Sequence, residues 1–146
     1  ALSFNGLLER QINPNQEPRG KVDAKGVREV VLTRNRAGHY VSNGRINGVS
    51  ATFLLDTGAT DVAVPASLAE RLGLRRGMAL QSRTANGTVT AWRTRLDEVS
   101  LGPLVLNNVR ASILPTMQGG DVLLGMSFLK KLELLQQGDS LTLRQY

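Results

Sequence analysis

The sequence contains no cysteine, and its only histidine is His39. Without a thiol the chain can form no disulfide, no cysteine nucleophile and no thiolate-ligated metal site. A Ser-His-Asp triad would have to use His39, which precedes a strand-like run and is more typical of a surface position. Aromatic residues make up 4% of the chain, too few for a surface on which nucleotide bases stack. Thiol, zinc and histidine-based chemistries are therefore disfavoured.

Long apolar runs are absent as well, since none approaches the roughly 18 residues that a membrane helix needs. Hydrophobic residues make up 41% of the 146 residues, which is enough for one packed domain. The net charge of +6 is compatible with nucleic acid or an anionic membrane as a partner. The charges are scattered, however, and Arg75-Arg76 and Lys130-Lys131 are the only adjacent basic pairs. The pattern favours a solvated basic surface, and no nucleic-acid partner is predicted.

Residues 1–26 are polar and include the segment NPNQEPRG, which predicts an N-terminal arm or linker. From residue 27 onward the pattern is typical of β structure. Short apolar segments bounded by turn residues predict strands over 27–33, 39–46, 49–55, 62–64, 99–101, 105–106, 109–114 and 122–124. Many short strands with frequent turns predict one mainly β domain over residues 27–146, a barrel or a sandwich.

Three hairpins are predicted from turn residues. The first turns at Asn47-Gly48, which is a strong hairpin signal. The second spans residues 78–96 and turns at Asn86-Gly87, and the third spans 134–144 across Gly138-Asp139.

Two short helices are predicted, over residues 67–72 and 126–132. Ser67 and Glu70 fit a capping box at the start of the first, and Gly73 fits its C-terminal stop.

The segment FLLDTGAT, residues 53–60, carries the clearest chemical signal. Asp56 directly follows an apolar strand, although aspartate is rarely buried unless paired. Thr57 offers a hydroxyl that can lock the loop by hydrogen bonding, and Gly58 permits a sharp turn with an N–H close to the carboxylate. Asp-Thr-Gly alone occurs in many turns. Its position between two apolar strands, and the later apolar segment Leu123-Leu124-Gly125 before a predicted helix, favour more than a plain β-turn.

With these pieces the chain resembles the retropepsin-type, single-domain aspartic proteases, in particular their bacterial membrane-anchored members. The resemblance covers roughly residues 38–146. In that family a strand delivers an Asp-Thr-Gly-Ala loop, matched by 56–59, and a flap hairpin follows, matched by 82–94. A strand ending in Leu124-Gly125 then passes behind the loop, and a closing helix is matched by 126–132. The flap has no tyrosine, and Trp92 is its only aromatic residue.

The resemblance implies a retropepsin-like half-barrel that hydrolyses peptide bonds with no metal and no cofactor. The implied catalytic residues are Asp56, Thr57 and Gly58. The implied substrate-binding residues are Ala59 in the catalytic loop and Thr84, Ala85, Asn86 and Gly87 at the flap tip.

Such chemistry needs two carboxylates facing each other, and no other aspartate repeats the pattern around Asp56. The resemblance therefore implies a homodimer, in which residues 27–33 and 141–144 are candidates for interleaved terminal strands. The polar turn at residues 136–139 predicts that this dimer is weak. The implied location is periplasmic, with residues 1–26 as a tether to an inner-membrane anchor that lies upstream and is absent from this chain.

Several alternatives stay open at this stage. A binding or dimerisation module could keep the fold without cutting, and a basic nucleic-acid-binding β domain is a more distant alternative. A phosphate-binding turn of the actin-like ATPase type would need two large α/β domains, so this short β chain disfavours it. Asn86-Gly87-Thr88 also fits an N-glycosylation acceptor, although a tight flap turn is the simpler interpretation.

The roles of two further groups of side chains also stay open. The first group consists of the apolar residues Val62, Val64 and Leu124, which could line the site or simply pack in the core. The second consists of the arginines Arg83, Arg93 and Arg95, which could attract acidic substrates or simply cover an exposed face.

Overall fold

The computed structural model describes residues 12–84, 87–115, 117 and 119–146. Two short helices, α1 (Ala66–Ala69) and α2 (Met126–Leu129), accompany the strands. No helix in these ranges has the length and apolar character that crossing a bilayer requires. The strands are β1 (Arg19–Val22), β2 (Arg28–Thr33), β3 (Val41–Ile46), β4 (Val49–Leu55), β5 (Val62–Pro65), β6 (Ala79–Thr84), β7 (Gly87–Leu101), β8 (Leu104–Leu114), β9 (Asp121–Leu124), β10 (Glu133–Gln137) and β11 (Ser140–Gln145).

One sheet has seven strands in the order β3-β4-β9-β5-β8-β7-β6. The pairs β4–β9 and β5–β8 are parallel, and the other neighbours are antiparallel. β3 also pairs with β7 at Arg45–Ser100 and Ile46–Val99, so the sheet closes on itself. Its interior is filled by fully buried side chains, among them Phe53, Val62, Leu96, Leu101, Leu104 and Phe128. The mainly β, barrel-like fold predicted from the sequence is confirmed.

Two strands of this sheet are longer than predicted. Along β7 the buried Leu96 and Val99 are separated by two exposed residues, which interrupts the alternation on which the sequence prediction rested. The break predicted between strands 105–106 and 109–114 is wrong, because Asn107 and Asn108 both lie within β8. Asn108 has φ of 56°, and asparagine tolerates this left-handed conformation better than most residues.

The first helix differs from its prediction at both ends. It covers only Ala66–Ala69, its N-cap residue is Pro65, and no side chain caps it. The predicted capping box is therefore wrong, because the helix begins before Ser67 and leaves that hydroxyl inside it. Gly73 does stop the segment, with φ of 71° and its N–H donating to the Glu70 carbonyl at 3.0 Å.

The second sheet, called the terminal sheet below, has the antiparallel order β1-β2-β11-β10. The predicted C-terminal hairpin is confirmed as β10 and β11, joined across Gly138-Asp139. Val30, Leu32 and Leu143 are fully buried on its inner face.

A row of alternating charges crosses the outer face of the terminal sheet. Glu29 accepts from Arg144 at 2.7 Å and lies 3.3 Å from Lys21, and Arg144 also reaches Glu133 at 3.2 Å. These residues are direct cross-strand partners, one on each strand. Hydrogen bonding from Arg144, together with Lys21, lowers the pKa of the Glu29 carboxyl, and the carboxylates raise the pKa of Arg144. A one-residue slip would place these charges on opposite faces, so the row specifies the register.

The two segments predicted to interleave between subunits pair with each other inside one chain. β2 lies between β1 and β11, and β11 lies between β2 and β10. Both edges of β2 and of β11 are therefore occupied within one chain, so neither strand offers an open edge to a second copy.

Of the N-terminal arm or linker predicted over residues 1–26, the structure describes residues 12–26, and this part packs on the domain. Residues 19–22 form β1, and Asn15 is buried against the domain. The Asn15 amide donates to the carbonyls of Thr33 and Val41, both at 2.8 Å, and accepts from the Thr33 N–H at 2.8 Å. This side chain joins the end of β2 to the start of β3, a long-range contact that local composition does not reveal.

Candidate active site

The Asp56 loop begins where two parallel strands end together. Leu55, the last residue of β4, lies opposite Leu124, the last residue of β9. The Asp56 N–H donates to the Leu124 carbonyl at 3.1 Å, so the ladder continues one residue beyond β4. Asp56 is thus fixed at the lip of the barrel and is partly exposed.

The loop then turns tightly around its own carboxylate. The Gly58 N–H donates to Asp56 Oδ1 at 2.9 Å, and the Ala59 N–H donates to the Asp56 carbonyl at 3.2 Å. A Cβ on Gly58 would lie 3.2 Å from Asp56 Oδ1, tighter than ordinary contact. Among the described residues, Thr57 is exposed and its hydroxyl has no hydrogen-bond partner in its own chain. The hydroxyl lock predicted from Thr57 is therefore not made within one chain.

The start of α2 supports the loop from behind. The Met126 N–H donates to the Ala59 carbonyl at 2.8 Å, and the Ser127 N–H donates to the Thr60 carbonyl at 2.9 Å. Gly125 makes this approach possible, because a Cβ there would collide with the Asp61 carbonyl and lie 2.7 Å from the Ala59 carbonyl. Helix and loop are thus in backbone-to-backbone contact.

Ser127 is a supporting residue that sequence reasoning missed. Its buried hydroxyl accepts from the Val62 N–H at 3.0 Å and donates to the Arg110 carbonyl at 2.7 Å. It joins α2 to β5 and β8 directly below the Asp56 loop. Its position two residues after Gly125 was the available signal, and a serine there does not reveal which backbone groups it satisfies.

The other aspartates have positions of their own. Asp61 is tied to Arg110 Nε at 2.8 Å, and Asp139 is tied to Arg34 at 2.6 Å. Asp23 accepts from two N–H groups in the β1–β2 turn. Asp121 lies opposite Thr52, which places its backbone about 13 Å from Asp56 along the strand direction. Asp97 is exposed on β7.

The three apolar residues near the loop are core residues. Val62, Val64 and Leu124 have no exposed surface. They hold the strands around the loop together, so the core interpretation of these residues is confirmed.

The predicted flap hairpin is formed by β6 and β7. The ladder runs from Ala79–Trp92 to Thr84–Gly87, whereas β8 pairs with β7 only as far as Trp92. The ribbon therefore projects beyond the edge of β8. Of the four predicted flap-tip residues, Thr84 ends β6 and Gly87 begins β7 with φ of 109°. Ala85 and Asn86 lie outside the described residues.

Trp92, the single aromatic residue of this hairpin, lies at its base. The Arg76 guanidinium stands 4.4 Å from the centre of its ring, a cation–π contact. Arg83, Arg93 and Arg95 are exposed, and the last two line a cavity of about 690 Å³ together with Arg75 and Arg110.

Comparisons with known proteins agree with this geometry. Residues 42–131 match the family model described as "gag-polyprotein putative aspartyl protease". An uncharacterised protein in the region 5′ of cobV of Sinorhizobium sp. is 36% identical over 126 residues, covering 84% of this chain. The chain spans 54% of that relative's length.

Two solved structures share the fold. A retropepsin-like aspartic protease from Rickettsia conorii superimposes with a TM-score of 0.67 at 28% identity, covering 87% of this chain and 94% of its own. EIAV protease in complex with the inhibitor HBY-793 gives a TM-score of 0.52 at 22% identity, covering 68% and 92%. The mainly β, barrel-like fold is thus a known one, and the chain belongs to the retropepsin-like aspartic protease family.

Proposed function

We propose that this chain is an aspartic endopeptidase whose active site forms between two copies. The observation that carries the proposal is the Asp56 loop, which holds one partly exposed carboxylate on a backbone-supported turn. Each chain has one such loop, and the other aspartates of the chain are engaged or placed elsewhere. A two-fold axis beside the loop would supply the second Asp56 in the same geometry.

In this mechanism the two Asp56 carboxyl groups share one proton, because two carboxylates held close cannot both ionise. The ionised member takes a proton from a water molecule, whose oxygen attacks the peptide carbonyl carbon. The protonated member gives its proton to the carbonyl oxygen, which produces a tetrahedral diol. When the C–N bond breaks, one diol hydroxyl returns its proton to the ionised carboxylate and the protonated carboxyl gives its proton to the departing amine. The products are a carboxylic acid and an amine, and the dyad again holds one shared proton.

Thr57, Gly58 and Ala59 would act around this dyad. The Gly58 N–H already donates to Asp56 Oδ1 and so orients it. The exposed Thr57 hydroxyl, which has no hydrogen-bond partner among the described residues, would bond to the second copy. Ala59, partly exposed beside the carboxylate, would contact the peptide substrate.

The proposal extends to the setting of the enzyme. The resemblance to bacterial membrane-anchored members favours a periplasmic domain tethered upstream of residue 1. Its substrate would then be a peptide or protein of that compartment.

Dilution and subunit mixing test the two-copy site. Specific activity towards a peptide library should rise with enzyme concentration until the dimer is saturated. A ninefold excess of Asp56→Asn chain should reduce the activity of each wild-type chain about tenfold, by forming dead heterodimers. The same excess of Asp121→Asn, an exposed carboxylate on β9, should not inhibit. Flat specific activity in a demonstrably monomeric range, without inhibition by the mutant, would show that one chain suffices.

A second test concerns the β6–β7 ribbon, which we propose to be a flap that closes over bound peptide. Between Trp92 and the hairpin turn, the described residues of the ribbon are mostly exposed, so few buried contacts hold it in one position. Binding of pepstatin, a peptide-like inhibitor, should slow amide exchange over residues 82–94 by about tenfold or more. The β3–β4 hairpin, which also turns at an Asn-Gly pair, is the internal control and should not change. Equal exchange of residues 82–94 with and without the inhibitor would remove the flap assignment.

A further inference from the structure

A cavity of about 690 Å³ lies at the base of the β6–β7 ribbon, and its described lining includes no residue of the Asp56 loop. Its volume is in the range of small-molecule sites. Four guanidinium groups and one carboxylate line it, so it is called the arginine cavity below. These charged lining residues are Arg75, Arg93, Arg95, Arg110 and Asp97.

Three of the arginines share one face of the sheet. Arg93 and Arg95 are two residues apart on β7, so their side chains point to the same side. Arg110 on β8 is the direct cross-strand partner of Arg95, which places their Cβ atoms about 4.5–5.5 Å apart. Like charges in such a pair destabilise a sheet. The fold therefore holds together charges that repel each other when no anion lies between them.

The fourth arginine, Arg75, lies on a segment that is fixed on both sides of it. Before Arg75, the Leu74 N–H donates to the Ala69 carbonyl at 2.9 Å, and after it the Gly77 N–H donates to the Arg93 carbonyl at 2.7 Å. A Cβ on Gly77 would lie 2.8 Å from that carbonyl, so glycine permits this close approach. The backbone that carries Arg75 is therefore tied directly to β7.

The turn between β3 and β4 forms a further wall of the arginine cavity. The Asn47 side-chain amide donates to the Leu72 carbonyl at 3.1 Å and accepts from the Glu98 N–H at 3.1 Å. The Asn47 N–H also donates to the Glu98 carbonyl at 2.8 Å. One residue thus joins the segment before Arg75 to β7. Because the walls are preformed, a ligand would pay little ordering cost on binding.

The guanidinium groups of the cavity keep most of their donors unused. Arg110 contacts Asp61 through Nε at 2.8 Å, and Arg95 uses one terminal nitrogen for two contacts to a residue of β8, at 3.2 and 3.4 Å. Within the ranges that the structure describes, Arg75 and Arg93 form no ion pair and no side-chain hydrogen bond. Donors on both walls are therefore available to a ligand.

The charges of the cavity determine which ligand fits. The four arginines carry four positive charges, and Asp97 and the Arg110-bound Asp61 carry two negative ones, which leaves two positive charges unneutralised. Guanidinium groups bind the oxygens of phosphates and carboxylates in pairs. A phosphate group carries close to two negative charges and three strong acceptor oxygens, so it matches both the excess charge and the number of donors.

We propose that the arginine cavity binds a dianionic phosphate group between Arg75 on one wall and Arg93, Arg95 and Arg110 on the other. The bound group neutralises the repulsion between Arg95 and Arg110. It also links the segment that leads into β6 to β7, at the base of the ribbon. The inference does not rest on the proposed function.

Titration calorimetry with inorganic pyrophosphate tests the site, at about 0.15 M salt to screen distant charges. Wild type should bind saturably, and Arg75→Gln and Arg93→Gln should each weaken binding about tenfold or more, because each removes charge-assisted hydrogen bonds. Arg76→Gln is the matched control. It removes the same charge one residue from Arg75, where the guanidinium stacks on Trp92, and should change the affinity less than about threefold. Equal losses in Arg75→Gln and Arg76→Gln would reduce the site to a general basic surface and overturn the proposal.

Two further probes identify the source of the phosphate group. Pyrophosphate binding that needs Arg75 and Arg93 indicates a soluble phosphate compound. Binding only to phosphatidylcholine vesicles that contain phosphatidic acid, lost in the same variants, indicates a lipid headgroup. Wild type that binds neither probe would overturn the proposal. Tetraglutamate that binds as tightly as pyrophosphate, with the same losses in the variants, would also overturn it, because the cavity would then take acidic peptides.

Thermal unfolding provides an independent measurement. Pyrophosphate at about 100 times its dissociation constant should raise the melting temperature of wild type by about 5 °C or more. For Arg95→Gln at the same concentration the rise should be no more than about 2 °C, although without the anion this variant should melt no lower than wild type, since it loses a like-charge pair. Equal rises in both proteins would overturn the proposal. None of these measurements uses peptide hydrolysis, so their failure would leave the protease proposal standing.

Discussion

Asp56→Asn should lower kcat/KM for peptide hydrolysis by about 10³-fold or more, because an amide can neither share a proton with its counterpart nor take one from water. The side chain keeps its shape and its oxygen can still accept from Gly58, so the loop should remain intact. Far-ultraviolet circular dichroism and the melting temperature should match those of wild type.

Asp121→Asn is the matched control for this change. It removes the same charge from the same type of residue, at an exposed position opposite Thr52 and outside the proposed site. Its kcat/KM should stay close to that of wild type. Retained hydrolysis in a well-folded Asp56→Asn protein would remove the central claim, and equal losses in both variants would attribute the effect to net charge.

Gly125→Ala should damage both stability and activity. Its added methyl would meet two backbone carbonyls, those of Ala59 and Asp61, neither of which can move like the end of a side chain. Forcing a methyl into a packed site typically costs about 1–3 kcal/mol. Relief of the clash would displace the loop from α2, and a displacement of about 1 Å at a catalytic group can cost about 10²-fold in rate.

Gly120→Ala is the control, because a Cβ on Gly120 meets nothing within 4 Å and its φ is not in the left-handed region. Gly120→Ala should leave the free energy of unfolding unchanged or raise it by about 0.4–1 kcal/mol, because alanine gives the unfolded chain less conformational freedom than glycine does. Chemical denaturation and kcat/KM measured on both variants decide the matter. Two variants that behave alike would show that the helix can retreat from the loop without consequence.

Local signals predicted the parts of the molecule that local chemistry determines. The Asn47-Gly48 turn, the stop at Gly73 and the hairpin across Gly138-Asp139 all require backbone conformations that a few residues set by themselves. The Asp56 loop belongs to the same class. Gly58 and Gly125 are both glycines because a Cβ at either position would come too close to atoms of the loop.

The parts that sequence reasoning missed depend on partners far along the chain. Nothing near Asn15 indicates that its amide bonds to Thr33 and Val41. Local composition therefore predicted only a polar arm or linker for this segment. The pairing of β2 with β11 is equally remote, and it turned two expected subunit contacts into internal ones. Ser127 was missed for the same reason, because its partners Val62 and Arg110 come from two other strands.

The β2–β11 pairing also determines how late in translation the domain can finish folding. Glu29 and its partner Arg144 are 115 residues apart, so β2 leaves the ribosome long before β11 has been translated. At about 5–20 residues per second, that interval lasts roughly ten seconds. Throughout it the apolar Val30 and Leu32 have no strand from the C-terminal hairpin beside them, and the nascent chain is open to chaperones and to mispairing. Translation of the last strand is therefore the step that completes the domain.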